Sequence, residues 1–368
     1  MRAAAILGSG SSAKALQQFQ KDSAARWLMG LPANSSEADV ILIFGGDGTV
    51  HRHLPQLVKL QLPVLVVPCG SGNDFARALN LGSIKDSLAA WHKFSSGGGN
   101  VRTIDLGIIT PWGPAPQGLK PQFQGESLRN AEALRHPNPC HPDPVPAPPD
   151  AGETPAAARA GPSQEKFAAR LQPCPDAPPR FLQVDDPARY SVPGTRHYFC
   201  CVGGVGLDGD IARRANQLPR WVRGHGGYVL SLLPALLRFA PLPMKISATE
   251  NSRADQFTVR SEAPTVLAAF ANTPAYGGGM RIAPDARFDD GQLDICIVSD
   301  VDKFKLFCLF PTVYFGRHLS IPEVEYFRAE RLRVETERPL DVYADGEYIC
   351  ATPIEVSVAA NALRVVVP

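Results

Sequence analysis

Val40-Ile41-Leu42-Ile43-Phe44-Gly45-Gly46-Asp47-Gly48-Thr49 is the stretch on which the fold turns. Five apolar residues in a row are typical of a strand covered on both faces. The glycines that follow let backbone amides approach a polyphosphate. Thr49 is a natural helix N-cap, and a helix N-terminus favours anions. About 25 residues later the arrangement returns: the apolar run Leu62 to Val67 leads into Pro68-Cys69-Gly70-Ser71-Gly72-Asn73-Asp74-Phe75-Ala76-Arg77. Strand, glycine loop and helix start, twice over at the spacing of a βαβ unit, predict a phosphate-binding floor with two carboxylates on it.

The chemistry of the two loops follows from their residue types. A carboxylate beside phosphates, as Asp47 would be, means a bridging cation or a proton to be removed; the alternative is an Asp supporting its own turn. Ser71 offers a hydroxyl to phosphate or metal-bound water, Asn73 or Asp74 can cap the next helix, and Arg77 follows one turn later, within reach of a phosphate. Asp105 interrupts the apolar strand Val101 to Ile109, where a charge is expensive unless paired or coordinated. It either joins Asp47 and Asp74 around a hydrated Mg²⁺ or lies at a turn on the surface. Asp345-Gly346-Glu347, after the strand Leu340 to Ala344, reads as a hairpin or as a carboxylate that faces the floor and removes a proton. His51 and His53 fall on different faces of a helix, which argues against a metal site.

Working outward, Ala3 to Leu7 is a strand and Ala13 to Leu28 has helical spacing. Val50 to Leu60 is helical with Pro55 inside it, so a kink or a late start is expected. Asp74 to Leu81 and Ile84 to Phe94 are further helices. The alternation predicts a parallel α/β domain over residues 1–110. About half of the 35 prolines fall between residues 111 and 195, where apolar periodicity stops. This stretch reads as a long disordered insertion, with room for a short helix from Ser163 to Leu171.

From residue 196 to 368 the chain is β-rich: Tyr198–Val202, Met244–Thr249, Gln256–Arg260, Thr265–Asn272, Leu293–Val298, Leu332–Glu335, Leu340–Ala344, Ile354–Val358 and Leu363–Val367 are candidate strands. They predict a β-sandwich, interrupted by helices at Asp210–Asn216, Tyr228–Phe239 and Asp302–Tyr314.

Composition narrows the class. In 368 residues, 44% hydrophobic and 20% charged content fit a soluble enzyme. A formal charge of +1 argues against a bulk nucleic-acid binder. Eight cysteines without a Cys-x-x-Cys pair read as free thiols in a reducing compartment. The apolar opening is too short for a signal peptide. Tyr228 to Met244 is too short and too broken by proline to span a bilayer, which needs ~20 residues. Trp221 to Pro243 mixes arginine with aromatic residues, as a peripheral membrane contact would, or is a core helix.

Together the two glycine loops resemble the diacylglycerol kinase catalytic domain superfamily, which groups bacterial diacylglycerol and lipid kinases with sphingosine and ceramide kinases. Cys201-Val202-Gly203-Gly204-Val205-Gly206-Leu207-Asp208, Asn272-Thr273-Pro274-Ala275-Tyr276-Gly277-Gly278-Gly279-Met280, Ala283-Pro284-Asp285-Ala286 and Asp289-Asp290-Gly291-Gln292-Leu293-Asp294 are similar to later runs of that family. The resemblance implies an α/β ATP-binding domain, a β-sandwich lipid domain and transfer of a γ-phosphoryl group from ATP, with Mg²⁺, to a lipid hydroxyl. Diacylglycerol is the first expected acceptor, with a sphingoid base or ceramide as alternatives, in a cytoplasmic, peripherally membrane-associated enzyme of phospholipid biosynthesis.

By resemblance, Gly45, Gly46, Gly48, Thr49, Gly70, Ser71, Gly72, Asn73 and Arg77 hold the nucleotide, and Asp47, Asp74 and Asp105 organise Mg²⁺. Glu347 matches the general base, with Asp47 as its rival and Asp345 beside it. Arg287, Asp290 and Gln292 match a structural metal site, and a homodimer is compatible with the family. Departures include Leu7-Gly8-Ser9-Gly10-Ser11 in place of Asn-Pro-x-Ser-Gly, and Val50-His51-Arg52 in place of Leu-Asn-Glu. Rival readings are an NAD kinase or phosphofructokinase-type enzyme, which shares the first loop but not the second, and a non-catalytic lipid-binding protein on a kinase fold.

Overall fold

The computed structural model describes residues 1–113, 193–249 and 256–368, apart from residues 9, 12, 22–24, 208, 210, 212–213, 215–234 and 236–238. The proline-rich insertion with its short helix, nearly all of the helices expected at Asp210–Asn216 and Tyr228–Phe239, and most of the Trp221 to Pro243 stretch lie outside the described residues.

Strands β1 (Arg2–Leu7), β2 (Arg26–Met29), β3 (Val40–Gly45) and β4 (Val64–Pro68) are parallel in the order β2-β1-β3-β4. Every residue of β3 is buried, as the unbroken apolar run requires of a central strand. Around the sheet lie α1 (Ala13–Lys21), α2 (Asp47–Leu60), α3 (Asp74–Ala78) and α4 (Ile84–Ser95). Phe19 of α1 meets Phe44 of β3 edge-on at 5.1 Å, and Trp91 of α4 lies 5.6 Å from Trp27 of β2. A reciprocal Ser83–Asp86 capping box starts α4. In this strand order the chain leaves β1 and β3 in opposite directions. Ligands of such sheets bind beyond the carboxyl ends of the strands at that switch, where Gly45 to Thr49 is found.

Two expectations need correction. The helix expected over Ala13 to Leu28 stops at Lys21, and Arg26–Met29 becomes an edge strand paired with β1. Helical spacing here yielded to the tertiary pairing. The second helix starts at Asp47 and continues through the exposed Pro55 to Leu60. Thr49 is therefore inside the first turn, its amide donating to Gly46 O, and Gly46 takes the N-cap position.

The second half is a sandwich. One layer carries β5 (Val101–Pro111), β6 (His197–Phe199), β8 (Leu242–Thr249), β9 (Thr258–Ser261), β13 (Arg331–Thr336) and β16 (Ile354–Val366). The other carries β7 (Val202–Gly206), β10 (Pro264–Ala271), β11 (Leu293–Ser299), β12 (Val324–Ala329), β14 (Asp341–Ala344) and β15 (Glu347–Ala351). Alternate residues such as Ile246, Phe270, Ile295, Leu332, Val334 and Val356 bury their side chains in the core between the layers.

The single strand expected at Tyr198 to Val202 is split into β6 and β7 because the Cys200 and Cys201 amides leave the ladder for the carboxylate of Asp345. The two strands expected at Ile354–Val358 and Leu363–Val367 form one, β16. It is irregular between Ala359 and Leu363, with Asn361 at φ 54°. Its first part pairs with β13, and Val365 pairs in parallel with Val64 of β4, so β16 belongs to both halves. Of the helix expected at Asp302–Tyr314, α5 (Lys303–Leu309) is α-helical, capped by Asp302. Pro311, which cannot donate to the ladder, lies in the 3₁₀ segment Phe310–Phe315 that follows.

Candidate functional site

The two glycine loops meet at the carboxyl ends of β3 and β4. A methyl added to Gly46 would sit 3.0 Å from Gly70 Cα, so only glycine permits this approach. Asn73 closes the second loop on itself, its side chain accepting from Gly70 N at 3.1 Å and donating to Gly70 O at 2.9 Å. The cap expected from Asn73 or Asp74 passes to Asp47, whose two oxygens accept the Asp74 and Phe75 amides, each at 3.0 Å. Asp47 thus fastens the start of α3 to the start of α2. Burial, then the charge of Asp74, and more weakly that of Asp345, push its carboxyl up to about 7. Ser71 is exposed beside it.

Asp74 is itself buried. It accepts from Arg77 at 2.5 Å and from the Gly278 amide at 3.1 Å. Arg77 also faces a cleft of about 550 Å³, shared with Arg102, Arg281 and Asp289. Tyr276 and Met280, at the two ends of the loop that contains Gly278, line a narrow apolar cavity with Leu207, Val266, Leu306 and Phe310. One five-residue loop therefore touches the acidic cluster with its middle and the apolar cavity with its ends.

From the opposite side comes the β14–β15 turn. Asp345 and Gly346, at φ 52° and 82°, form the tight hairpin that Asp-Gly favours. The hairpin reading holds, and the same turn carries Glu347 towards the first glycine loop. The Asp345 side chain is fully buried, and its oxygens accept from Cys200 N at 2.9 Å, Cys201 N at 2.8 Å and His51 Nδ1 at 3.0 Å. Burial opposes the charge on His51, but the Asp345 bond and the fields of Asp345 and Glu347 outweigh it, so the imidazole binds its proton more tightly than usual. Glu347 is exposed, and a methyl on Gly48 would come 2.7 Å from its Oε1. Glu347, the first turn of α2 and Asp47 thus converge from two halves of the chain.

Asp105 is buried with partners of its own. Its oxygens accept the Gly291 amide at 2.8 Å and the Asn361 amide at 2.7 Å. It clasps the loop carrying Arg287, Asp290 and Gln292 to the irregular part of β16. Within that loop Asp290 accepts from the Gln292 amide at 3.1 Å, and Arg287 pairs with Asp289.

Sequence reasoning missed His51 as a partner of Asp345 and Asn272 as a buried bracket. Asn272 donates to Asp105 O and Cys200 O. The departure from Leu-Asn-Glu at Val50-His51-Arg52 was the available signal for the first. Among the described residues, Cys200, Cys201 and Asp345 lie close enough to hold a metal. Burial, with Cys201 and Asp345, holds the Cys200 thiol well above its usual range, and the carboxylate is already filled by donors. This is a hydrogen-bonded core cluster.

Burial first, and then the charge of Asp74, raise Asp47 to about 7; a buried carboxylate beside a second one is a donor set that a hard cation such as Mg²⁺ relieves. Among the described residues no helix is long and apolar enough to cross a membrane.

Residues 9–109 match the family model "Diacylglycerol kinase catalytic domain", and residues 202–367 match "YegS C-terminal NAD kinase beta sandwich-like domain". A diacylglycerol kinase of Mycobacterium tuberculosis is 29% identical over 332 residues, covering 90% of this chain and 77% of its own. "Probable lipid kinase YegS-like" of Alcanivorax borkumensis is 26% identical over 177 residues, covering 47% and 55%. A crystal structure of a diacylglycerol kinase from Bacillus anthracis is similar in fold, with a TM-score of 0.54 at 15% identity and coverage of 100% and 97%.

Proposed function

Because the chain belongs to the diacylglycerol kinase catalytic domain superfamily, a transferase family of lipid kinases, we propose that it moves the γ-phosphoryl group of ATP to a hydroxyl of a membrane lipid, with diacylglycerol the acceptor and phosphatidic acid the product. The observation that carries this reading is the Tyr276–Met280 loop, which joins an apolar cavity to the carboxylate beside the phosphate loops. A nucleotide kinase for a water-soluble acceptor has no use for such a cavity.

The amides that open α2 and the Gly70–Asn73 loop receive the phosphates. Asp47 and Asp74 hold Mg²⁺, Asp47 with its oxygens already oriented by the α3 amides; Mg²⁺ when bound neutralises charge on the transferred group. Asp105 acts on this site only through the loops it clasps. The apolar cavity takes an acyl chain and leaves the lipid hydroxyl near Asp74.

Glu347 accepts the proton of that hydroxyl. Asp47 is less suited, because both of its oxygens are committed to the amides that open α3, whereas Glu347 is exposed and adjacent to Gly48. Asp345, its lone pairs given to Cys200, Cys201 and His51, fixes the turn on which Glu347 stands. The test is mass spectrometry of lipids after incubating purified protein with Mg-ATP and diacylglycerol in mixed micelles. Phosphatidic acid is expected. A phosphorylated sphingoid base or ceramide in its place would keep the transfer and change the acceptor. No phosphorylated product from a whole lipid extract would refute the reading.

A further inference from the structure

Among the described residues the exposed phenylalanines are Phe304, Phe307 and Phe315, at 76%, 47% and 73% of full exposure. All three lie within one short segment, α5 and the 3₁₀ turn after it. A phenylalanine ring has 150–250 Å² to bury, and three left in water along twelve residues is an unpartnered surface. The opposite side of the segment is occupied, since Leu306, Phe310 and Val313 line the apolar cavity. Tyr314, whose phenol is held above its usual range by burial and then by the charge of Asp74, connects the segment with the acidic cluster.

Charge favours one kind of occupant. Residues 303–320 include Lys303, Lys305 and Arg317 and no acidic residue. The exposed Arg281 is tied to the same segment through its amide, which donates to Val313 O at 3.1 Å. Of the neighbouring acids, Asp302 caps α5 and Glu323 pairs with Lys305, while Asp300 is exposed before the cap. Aromatic rings with cations on their flanks match the interface of a bilayer, where rings enter the acyl boundary and Lys and Arg remain at the headgroups.

We propose that α5 and its following turn form the face that docks on an anionic membrane, so that the lipid cavity behind them opens against the bilayer. This rests on the lipid-kinase reading for the role of the cavity; the docking itself does not depend on catalysis. A second copy of the chain is the competing occupant. It would have to bring two sets of like-charged Lys and Arg together.

The test uses the full chain and sedimentation with phosphatidylcholine vesicles, with and without phosphatidylglycerol. Phe304→Ser and Phe315→Ser, checked for fold by circular dichroism, should each weaken partitioning by roughly tenfold, in keeping with loss of a buried ring. Lys303→Glu with Arg317→Glu should remove the preference for phosphatidylglycerol. A short-chain diacylglycerol dispersed as monomers should be phosphorylated by the Phe variants at the wild-type rate, while turnover of vesicle-embedded lipid falls. Vesicle binding unaffected by the Phe substitutions would overturn the proposal. So would equal loss on the dispersed substrate, which would mean that the rings serve the site and not the surface. A dimer in sedimentation velocity that these substitutions dissociate, with no vesicle binding by the wild type, would assign the face to a second copy. Ring-dependent vesicle binding by a protein that phosphorylates no lipid would refute the kinase reading and support the docking face.

Discussion

Replacing Gly48 with alanine isolates the contact on which the proposed base assignment depends. The new methyl would lie 2.7 Å from Glu347 Oε1, where ordinary contact begins near 3.4 Å. The backbone at Gly48 is helical and does not require glycine, and the obstructing atom is the free end of a flexible side chain. The carboxylate is therefore the part that yields, by about 0.7 Å. At a cost on the order of 100-fold per ångström of misplacement, kcat should fall roughly 25-fold. Stability should change by no more than about 1 kcal/mol, because alanine in a helix gains ~0.5–1 kcal/mol over glycine and the displaced Glu347 rotamer gives up a similar amount. Urea denaturation and steady-state phosphorylation measure the two quantities separately. The decisive assay is the double mutant. If Gly48→Ala acts by moving Glu347, it should add little to the loss already caused by Glu347→Gln. Full additivity, or an undiminished kcat in Gly48→Ala, would refute the placement of Glu347 as base.

Other outcomes follow from neighbouring residues. Asp345→Asn replaces one buried acceptor oxygen with a donor facing Cys200 N or Cys201 N; we expect a loss of about 2–4 kcal/mol in urea denaturation, from stranded charge-assisted bonds, together with a lower kcat. Asp105→Ala leaves the Gly291 and Asn361 amides without their acceptor and should cost about 3–5 kcal/mol, with nucleotide affinity largely kept if the residue is a clasp; a variant that is fully stable but blind to Mg²⁺ would return it to the metal network. Asp47, held at about 7, carries a proton in the folded state that the unfolded chain gives up near the ordinary carboxylate range. Its contribution to stability is therefore present at acid pH and lost as pH rises towards 7. A divalent cation displaces that proton, so the rise in Tm on adding Mg²⁺ should grow as pH rises to about 7 and then level off; a pH-independent Mg²⁺ shift would contradict this.

Much of the first half was legible in the sequence because β3 and β4 are apolar from end to end and are followed at once by glycine. Local pattern and global fold agree there. The failures arise where a distant partner decides. Arg26–Met29 forms a strand only because β1 offers an edge. Tyr198–Val202 breaks because Asp345, about 145 residues away, takes its amides. Asp47 was legible as a functional carboxylate, but not as the cap of α3, because that cap crosses from one loop to another. Asp105 was legible as a costly buried charge; its partners, two backbone amides from the second half, leave no trace in side-chain identity. The exposed rings of α5 had been absorbed into an expected helix, since spacing alone does not tell which face of an apolar segment has a neighbour.

Strand β16 has a consequence for the birth of the protein. The sheet that supports both glycine loops is made by residues 2–68, yet the β4 edge gains its parallel neighbour only from Val365, and β5 has β16 along most of its length. On the ribosome the phosphate-binding half therefore waits, one strand short and with an open β4 edge, until Val365 has emerged. A fragment cut at the apparent boundary between the halves would carry every residue of both glycine loops and still lack the strand that completes their sheet.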